Sequence, residues 1–363
     1  MKAIYALGAR FAGGGIGSTA YHAVGGLYEQ GLLQRLLAGS AAPSGIPRDR
    51  VRELGLPSRV LRKLAMYDPS RWVAHMECLL FDSWASRQLE PADVFHVWGN
   101  YGLRSLHRAK AMGMVTVVER ASTHPLYQAR VLRQEYARWG VRFHLPQATL
   151  SRGMGEIRAA DYVLIPSDFV RDSFLAEGFP AGRLLQVPFG VDTERFRPAG
   201  CQGTHPFRVL FVGQVGIRKG VPYLLEAWRL LGWRDAELWL VGRVDRHSPR
   251  ILHRWPSLPG VHRVDHTPDP VALFQQADVF AFPTIEEGSA LVTYEALACG
   301  LPVVTTPSAG SIVTDGSEGF ITLVHSQESC SVMWYNIGHE NSYLCSSGVG
   351  RRAPDLGGGA ALV

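Results

Sequence analysis

Cysteine, lysine and long apolar runs are scarce in this 363-residue chain, and each scarcity narrows the class of protein. The five cysteines are widely spaced and form no CxxC pair, so we expect thiols rather than a disulfide framework or a zinc site. No apolar run approaches the roughly 18 to 20 residues of a membrane span. The amino-terminal run breaks into glycines before it could serve as a secretory signal, and we therefore expect a cytosolic protein.

Signatures of nucleic-acid binding are missing as well. The sequence has no zinc-finger spacing, no RNP-type aromatic motif and no basic low-complexity tail. Nucleic acid is therefore not an expected partner.

Positive charge is concentrated in the first half of the chain. The net charge of +5 divides into +8 for residues 1–200 and −3 for residues 201–363. Six cations lie among apolar residues between Arg48 and Lys63. This stretch is equally consistent with a solvated arginine-rich face and with peripheral contact with an anionic membrane at its inner face.

Short β-like runs alternate with longer helical ones along the whole chain, which is typical of doubly wound parallel sheets. The pattern restarts after a segment rich in Gly, Pro and polar residues, which predicts one α/β domain over residues 1–200 and a second over residues 201–325. Ligands bind outside the carboxyl ends of strands in such sheets, so two Rossmann-like domains would present their loops to a shared cleft.

The segments with the clearest periodicity are named as strands or helices. Strands are predicted at 2–8, 92–98, 114–120, 161–167, 183–190, 207–213, 236–242, 260–265, 278–284 and 301–306. Helices are predicted at 16–30, 101–112, 125–139, 168–177, 223–231, 268–277 and 291–299, with Ser167 as an N-cap.

A glycine-containing loop, residues 213–220, follows an apolar strand and leads into a helix. Gly213 and Gly216 would let its backbone N–H groups approach a diphosphate, and Arg218 and Lys219 would add positive charge. The chain has only four lysines, so this adjacent pair stands out from the background. A structural turn is an equally good explanation of the loop taken alone.

Two glutamates eight positions apart, Glu287 and Glu295, lie in the segment FPTIEEGSALVTYEALACGLPVV. The segment resembles the signature of family 4 of the retaining glycosyltransferases, which have the GT-B fold. That resemblance implies that Glu287 contacts hydroxyls of a donor sugar and that Glu295 contacts the ribose. It also implies that the donor meets the backbone N–H groups of Gly288, Ser289 and Ala290 and the start of the helix at Leu291. Ser289-Ala290 replaces the family's common Phe-Gly, so sugar specificity cannot be carried over.

The first domain resembles the same family, and the similarity extends over roughly residues 1–323. Gly14, Gly15 and Gly17 match the loop where the backbone would approach acceptor or phosphate. His124 is the preferred match for a first-domain histidine near the reacting centre, and His96 is the weaker one; each could instead be a structural histidine.

The resemblance implies transfer of a sugar from a nucleotide diphosphate donor to a hydroxyl acceptor, glycan or lipid-linked, with retention of configuration. His124, Arg218, Lys219 and Glu287 would form the reacting centre, and the departing phosphate would take the acceptor's proton. Because no DxD-type motif is present, we expect the cations and helix dipoles to replace a metal, with no cofactor. By family analogy the process is assembly of a surface polysaccharide. A nucleotide-sugar-binding protein without catalysis and a GT-B-fold nucleotide-sugar epimerase are the alternatives.

Composition changes abruptly at residues 326–363. This stretch holds two of the five cysteines, lacks sustained helical periodicity and closes on glycines. It suggests a frameshifted or truncated reading frame, and we expect it to pack poorly; an unusual but ordered ending is the alternative.

Overall fold

The computed structural model describes residues 1–68, 70–199, 205–245, 248–267 and 269–323. The prediction for residues 326–363 lies outside these residues. Contacts divide the chain into two units, of which the first holds Met1–Ala129 with Phe143–Pro188. The second unit holds Arg130–Arg142 and the chain from Phe189 onward. The contacts thus divide the chain after Pro188 instead of near residue 200.

A parallel sheet of seven strands forms the first unit, in the order β3-β2-β1-β4-β5-β6-β7. Its strands are β1 Ala3–Phe11, β2 Leu33–Ala41, β3 Val51–Glu53, β4 Val94–Trp98, β5 Val115–Glu119, β6 Tyr162–Ile165 and β7 Leu184–Gln186. The helices begun in this part of the chain are α1 Ile16–Glu29, α2 Leu56–Ala65, α3 Trp72–Arg87, α4 Leu103–Ala111, α5 Pro125–Arg138, α6 Gln147–Ala159 and α7 Asp168–Ala176.

The sheet of the first unit is covered on both faces, as its apolar central strand requires. Alternate residues of a strand point to opposite faces. Ile4 and Ala6 of β1 accordingly join one hydrophobic cluster, and Tyr5 and Leu7 join another. A strand buried on both faces needs a continuous apolar run, and the first six residues of β1 are all buried.

The second unit holds a parallel sheet of six strands in the order β10-β9-β8-β11-β12-β13. Its strands are β8 Phe207–Val212, β9 Ala236–Val241, β10 Val261–Val264, β11 Val279–Phe282, β12 Val303–Thr305 and β13 Gly319–Ile321. Its helices are α8 Val221–Leu231, α9 Pro249–Leu252, α10 Val271–Gln275 and α11 Leu291–Ala298. Both sheets are therefore doubly wound α/β sheets, as predicted.

Residues 130–142 pack with the second unit although they precede most of it in sequence. Tyr223 donates its hydroxyl hydrogen to Glu135 at 2.7 Å, and Tyr136 donates to Asp245 at 3.4 Å. The Trp139 ring packs edge-on against Tyr223, with the centroids 5.4 Å apart. The second unit is thus built from two separate stretches of chain.

The predicted N-cap of α7 is confirmed: the Ser167 hydroxyl accepts a hydrogen bond from the Val170 N–H at 3.3 Å. Among the described residues, no helix is both long enough and apolar enough to cross a bilayer.

Candidate functional site

The loop after β8 lies against the loop after β11, so the two sequence motifs meet at one edge of the second sheet. The Arg218 carbonyl accepts hydrogen bonds from the Ile285 N–H at 2.9 Å and from the Thr284 hydroxyl at 3.1 Å. A Cβ at Gly220 would overlap the Pro283 carbonyl, and Gly220 also has a φ of +70°. Only glycine therefore allows the two loops to approach this closely.

Several backbone N–H groups of the β8 loop are left without a hydrogen-bond acceptor by the described residues. Across the parts of the chain that the structure describes, the N–H groups of residues 216–219 meet no acceptor. The Gly213 N–H, in contrast, donates to the Val241 carbonyl at 2.9 Å. Gly216 lies so close to Asp245 that a Cβ would have to displace it. The loop has N–H donors left for an anion, among them that of Gly216 but not that of Gly213.

Four charged side chains converge between the two loops. Arg218 donates through Nε to Glu286 Oε2 at 3.0 Å, and its terminal nitrogen is 3.4 Å from Glu287 Oε1. Lys219 pairs with the other oxygen of the Glu287 carboxylate. Two cations are thus balanced by two carboxylates, and the positive charge predicted to face a diphosphate is engaged internally in this structure.

Burial, with the neighbouring Arg218 charge, holds the pKa of Lys219 well below its ordinary value, although Glu286 acts in the opposite direction. The ammonium lies 5.1 Å from the centroid of the Phe282 ring. An arriving anion would favour the charged form of this lysine.

Glu286 was missed in the sequence, although it is fully buried and accepts from Arg218. The only signal was its place beside Glu287 in the run EEG. A doublet does not tell which glutamate faces the ligand and which anchors the arginine.

Glu295 lies on α11, one turn from the helix start, and is partly buried. Burial raises the pKa of its carboxyl to about 7, while Arg195 acts against the rise. No residue in the described ranges makes a hydrogen bond or ion pair to this carboxylate. A half-buried acceptor without a partner is suited to ligand hydroxyls.

The residues between Glu287 and Glu295 differ in whether their N–H groups are available to a ligand. The Ala290 N–H is already bonded to the Ala309 carbonyl at 3.0 Å, so it is not available to a donor in this structure. The Ser289 hydroxyl pairs with that of Tyr294 at 2.8 Å. For the N–H groups of Ser289 and Leu291, the described residues provide no acceptor. Gly288 lies beside them, between Glu287 and Ser289.

The glycine-rich loop of the first unit joins β1 to α1. Gly15 is the N-cap of α1 with a φ of +62°, and space is open where a Cβ would stand at Gly14 and Gly15. A Cβ at Gly17 would instead overlap the Arg10 carbonyl, so Gly17 serves the packing of α1 on the strand. The N–H groups of residues 14–17 find no acceptor within the described ranges.

The two histidines of the first unit have different surroundings. His124 follows β5 directly before α5, is buried, and packs edge-on against Phe174 at 5.0 Å. Its contact with a donor sugar stays a prediction. His96 occupies the middle of β4. Its Nε2 lies 2.8 Å from the Glu119 carboxylate, which gives it a structural partner.

A cavity of about 280 Å³ in the first unit was not foreseen from the sequence. Its polar lining side chains are Arg71, His75, Asn100, Arg120, Gln128 and Thr149. No carboxylate belongs to its described lining. A cavity lined by two guanidinium groups and an imidazole favours an anionic ligand. Its residues come from three helices and four connecting segments, so no local sequence pattern indicates it.

Residues 206–331 match the family described as Glycosyl transferases group 1. The second unit carries a group 1 glycosyltransferase domain. Over 122 residues the chain is 30% identical to the capsular polysaccharide biosynthesis glycosyltransferase CapM of Staphylococcus aureus, with 32% of each chain covered. Over 168 residues it is 30% identical to the D-inositol 3-phosphate glycosyltransferase of Paenarthrobacter aurescens, with 41% of each covered. The chain thus spans between about a third and two fifths of these relatives' length.

Solved structures agree on the fold over nearly the whole chain. The structure of Anabaena Alr3699/HepE in complex with UDP and glucose aligns with a TM-score of 0.63 at 15% identity, covering 95% of this chain and 92% of that one. The fold is that of the GT-B glycosyltransferases. In the glycosyltransferase domain, the loops after β8 and β11 contain the motifs predicted from sequence.

Proposed function

We propose that the chain transfers a sugar from a nucleotide diphosphate donor to a hydroxyl acceptor. The observation that carries this proposal is the meeting of Arg218, Lys219 and Glu287 at the edge of a group 1 glycosyltransferase domain. These are the side chains whose chemistry suits a diphosphate and a sugar, and the open N–H groups of residues 216–219 lie in the same loop.

The internal ion pairs suggest how the donor engages the site. A diphosphate that binds the cations would replace Glu287 as their counterion, which frees that carboxylate to accept hydroxyl hydrogens from the sugar. Glu286 would keep Arg218 in place because it is fully buried and bonded to the guanidinium. The carboxylate of Glu295 would accept from the ribose.

The leaving group gains negative charge as the glycosidic bond to phosphate breaks. Preorganised N–H groups and cations stabilise such charge without reorganising during the reaction. We propose that Arg218, Lys219 and the N–H groups of residues 216–219 supply this stabilisation without a metal. The acceptor hydroxyl would attack the face that the phosphate leaves, so that the configuration is retained and the departing phosphate oxygen takes the proton.

The cationic cavity of the first unit supports an acceptor that carries an anionic group. Arg71 and Arg120 would bind its phosphate, and His124 would lie at the reacting centre. Acceptors of this kind include phosphorylated glycans and sugars linked to a lipid through phosphate. A lipid-linked acceptor, as in assembly of a surface polysaccharide, would require the enzyme to work at a membrane surface.

A two-step experiment tests the proposal. Thermal shift with nucleoside diphosphates identifies the base, since a ligand at 100 times its Kd stabilises by about 2.7 kcal/mol. The matching nucleotide sugars are then incubated with phosphorylated and unphosphorylated acceptors, and products are followed by mass spectrometry and NMR of the new anomeric centre. Transfer with inversion would contradict the mechanism.

The same experiment separates the alternatives. A nucleotide-sugar-binding protein without catalysis would be stabilised by a donor and would leave every donor intact. An epimerase would interconvert the donor's sugar without any acceptor. Consumption of the donor only when an acceptor is added supports transfer.

A further inference from the structure

Helix α2 packs with its polar side inward. Ser58 is fully buried, and Arg62 reaches inward to bond Ser58 at 2.8 Å and Glu77 at 3.2 Å. The apolar residues lie on the outside: Leu56, Val60 and Leu64, spaced by four, are 72%, 47% and 53% exposed. Residues four apart lie on one side of a helix, so these three form an exposed apolar stripe.

Helix α3, which packs beside α2, has a second stripe of the same kind. Trp72 and Met76 are about half exposed, and Leu79 and Leu80 follow one turn later with exposed side chains. The connection between the helices adds two more exposed apolar residues. We call the whole set the α2–α3 patch: Leu56, Val60, Leu64, Met66, Tyr67, Trp72, Met76, Leu79 and Leu80.

Exposed apolar side chains are normal when scattered, whereas a group of nine on two adjacent helices and their connection marks an interaction surface. Folding alone would have placed Leu56, Val60 and Leu64 inward and Ser58 and Arg62 outward. The chain instead turns a buried serine and a partly buried arginine inward, where Glu77 accepts hydrogen bonds from both.

Positive charge accompanies the patch. Arg59 and Lys63 are exposed on α2 beside the apolar stripe. Arg59 lies 3.6 Å from the Glu53 carboxylate in a solvent-exposed pair, which contributes little in water. For Lys63, the described part of the chain supplies no carboxylate partner. Asp68 is the remaining carboxylate here, and it accepts from the N–H of Val73 at the start of α3.

We propose that the α2–α3 patch docks on the surface of an anionic lipid bilayer. Its leucines, valine and methionines would enter the boundary between headgroups and acyl chains, and Tyr67 and Trp72 would lie at headgroup level, where such rings are favoured. Arg59 and Lys63 would bind lipid phosphates while their stems cover apolar surface. A symmetric dimer through the same patch would bring these cations of two copies together, which charge repulsion opposes.

Vesicle cosedimentation of the full-length protein tests the proposal. We expect binding to vesicles with 30% phosphatidylglycerol in phosphatidylcholine. Binding to phosphatidylcholine alone should be at least about tenfold weaker, because each cation near an anionic surface contributes roughly 1 kcal/mol. Added salt should weaken binding to the anionic vesicles. The triple variant Leu56→Ser, Val60→Ser, Leu64→Ser should lose binding by about tenfold or more. Arg59→Gln with Lys63→Gln should lose the preference for the anionic lipid.

A matched control is available in the same unit. Leu175 on α7 and Leu185 on β7 are 42% and 40% exposed and lie outside the patch. The double variant Leu175→Ser, Leu185→Ser should bind vesicles within about twofold of the original chain. Trp72→Phe gives a second measurement, since it should remove the fluorescence blue shift on vesicle addition while binding persists.

Several results would overturn the proposal. These are equal binding to neutral and anionic vesicles, no binding to either, or equal loss in control and patch variants. A dimer by light scattering that only the patch variant disrupts, with no vesicle binding, would assign the patch to a second copy. Nucleoside diphosphate binding should be unchanged in the patch variants. Vesicle binding without nucleotide binding would contradict the proposed sugar transfer and leave the docking surface standing.

Discussion

At the scale of single residues, the state of Glu295 is the most informative feature of the site. Its carboxylate is half-buried and lacks a described partner, so a ribose hydroxyl would improve its surroundings. We expect Glu295→Ala to weaken nucleoside diphosphate binding by about 1 to 3 kcal/mol, as for loss of a charged acceptor. Calorimetry measures this effect. Glu29→Ala, at the exposed end of α1, is the control and should bind like the original chain.

The same glutamate should reduce stability at neutral and alkaline pH. Because burial raises its pKa to about 7, it contributes stability that is complete below its unfolded pKa and lost as pH rises through 7. Glu295→Gln should therefore be more stable than the original chain at pH 8, by about 1 to 2 kcal/mol after discounting for partial exposure, and about equally stable at pH 4. Thermal melts at both pH values measure this. An equal difference at both would exclude titration as the cause.

The cation pair makes a different prediction, about turnover. Arg218→Ala or Lys219→Ala should lower the transfer rate by about 100- to 1000-fold, since each removes positive charge from the leaving group. Because burial depresses the pKa of Lys219, activity should also fall on the alkaline side before an ordinary lysine would titrate. Steady-state rates measure both. Arg229→Ala, which removes an exposed cation paired with Glu226, is the control; a loss as large there would point to general destabilisation.

Sequence spacing predicted the positions of Glu287 and Glu295 well and their partners poorly. Spacing along one chain places both residues near one strand end. It does not show that Glu286 holds Arg218, or that the Ala290 N–H is already bonded to the Ala309 carbonyl. Those contacts join residues that are distant in sequence.

At the scale of elements, two glycines of the loop between β1 and α1 differ in their importance for packing. Gly17→Ala should cost about 1 to 3 kcal/mol of unfolding free energy, because its Cβ would meet the Arg10 carbonyl. Gly14→Ala should change stability by no more than about 0.5 kcal/mol, because its Cβ would enter open space. Denaturant titration compares the pair. If Gly14→Ala proves as destabilising as Gly17→Ala, the packing explanation for Gly17 is wrong.

Several elements were predicted closely, whereas β2, α2, α3 and α6 were not predicted. The predicted helix 125–139 matches α5 to within one residue. In α2 the apolar stripe is exposed and Ser58 is buried, and α3 buries Glu77 together with apolar residues, so neither helix has the usual amphipathic pattern. An amphipathic pattern alone does not show which side of a helix is buried.

At the scale of the whole molecule, the proposed mechanism requires no divalent ion. Cations and N–H groups of the chain would stabilise the leaving diphosphate. We expect the transfer rate to change less than about twofold when EDTA is added after dialysis against chelator. Rates with and without added magnesium or manganese measure this. A rate that vanishes in EDTA and returns on titration with either ion would contradict the expectation.

Domain limits follow contacts that composition does not show. The segment 193–206 has the composition of a linker, yet Phe196 within it is buried and packs against Phe274 with the ring centroids 6.0 Å apart. Arg195 also lies 2.9 Å from the Asp269 carboxylate. Glycine and proline mark where a chain turns, and long-range packing decides which unit it joins.

Because the second unit is built from two stretches of chain, no single continuous gene segment encodes it alone. A gene fragment beginning at residue 189 would encode Tyr223 without its acceptor Glu135, and Asp245 without Tyr136. Recombination between related genes at one crossover would mismatch these pairs. A chimera designed to exchange donor specificity should therefore carry residues 130–142 together with the chain from Phe189, which requires three junctions rather than one.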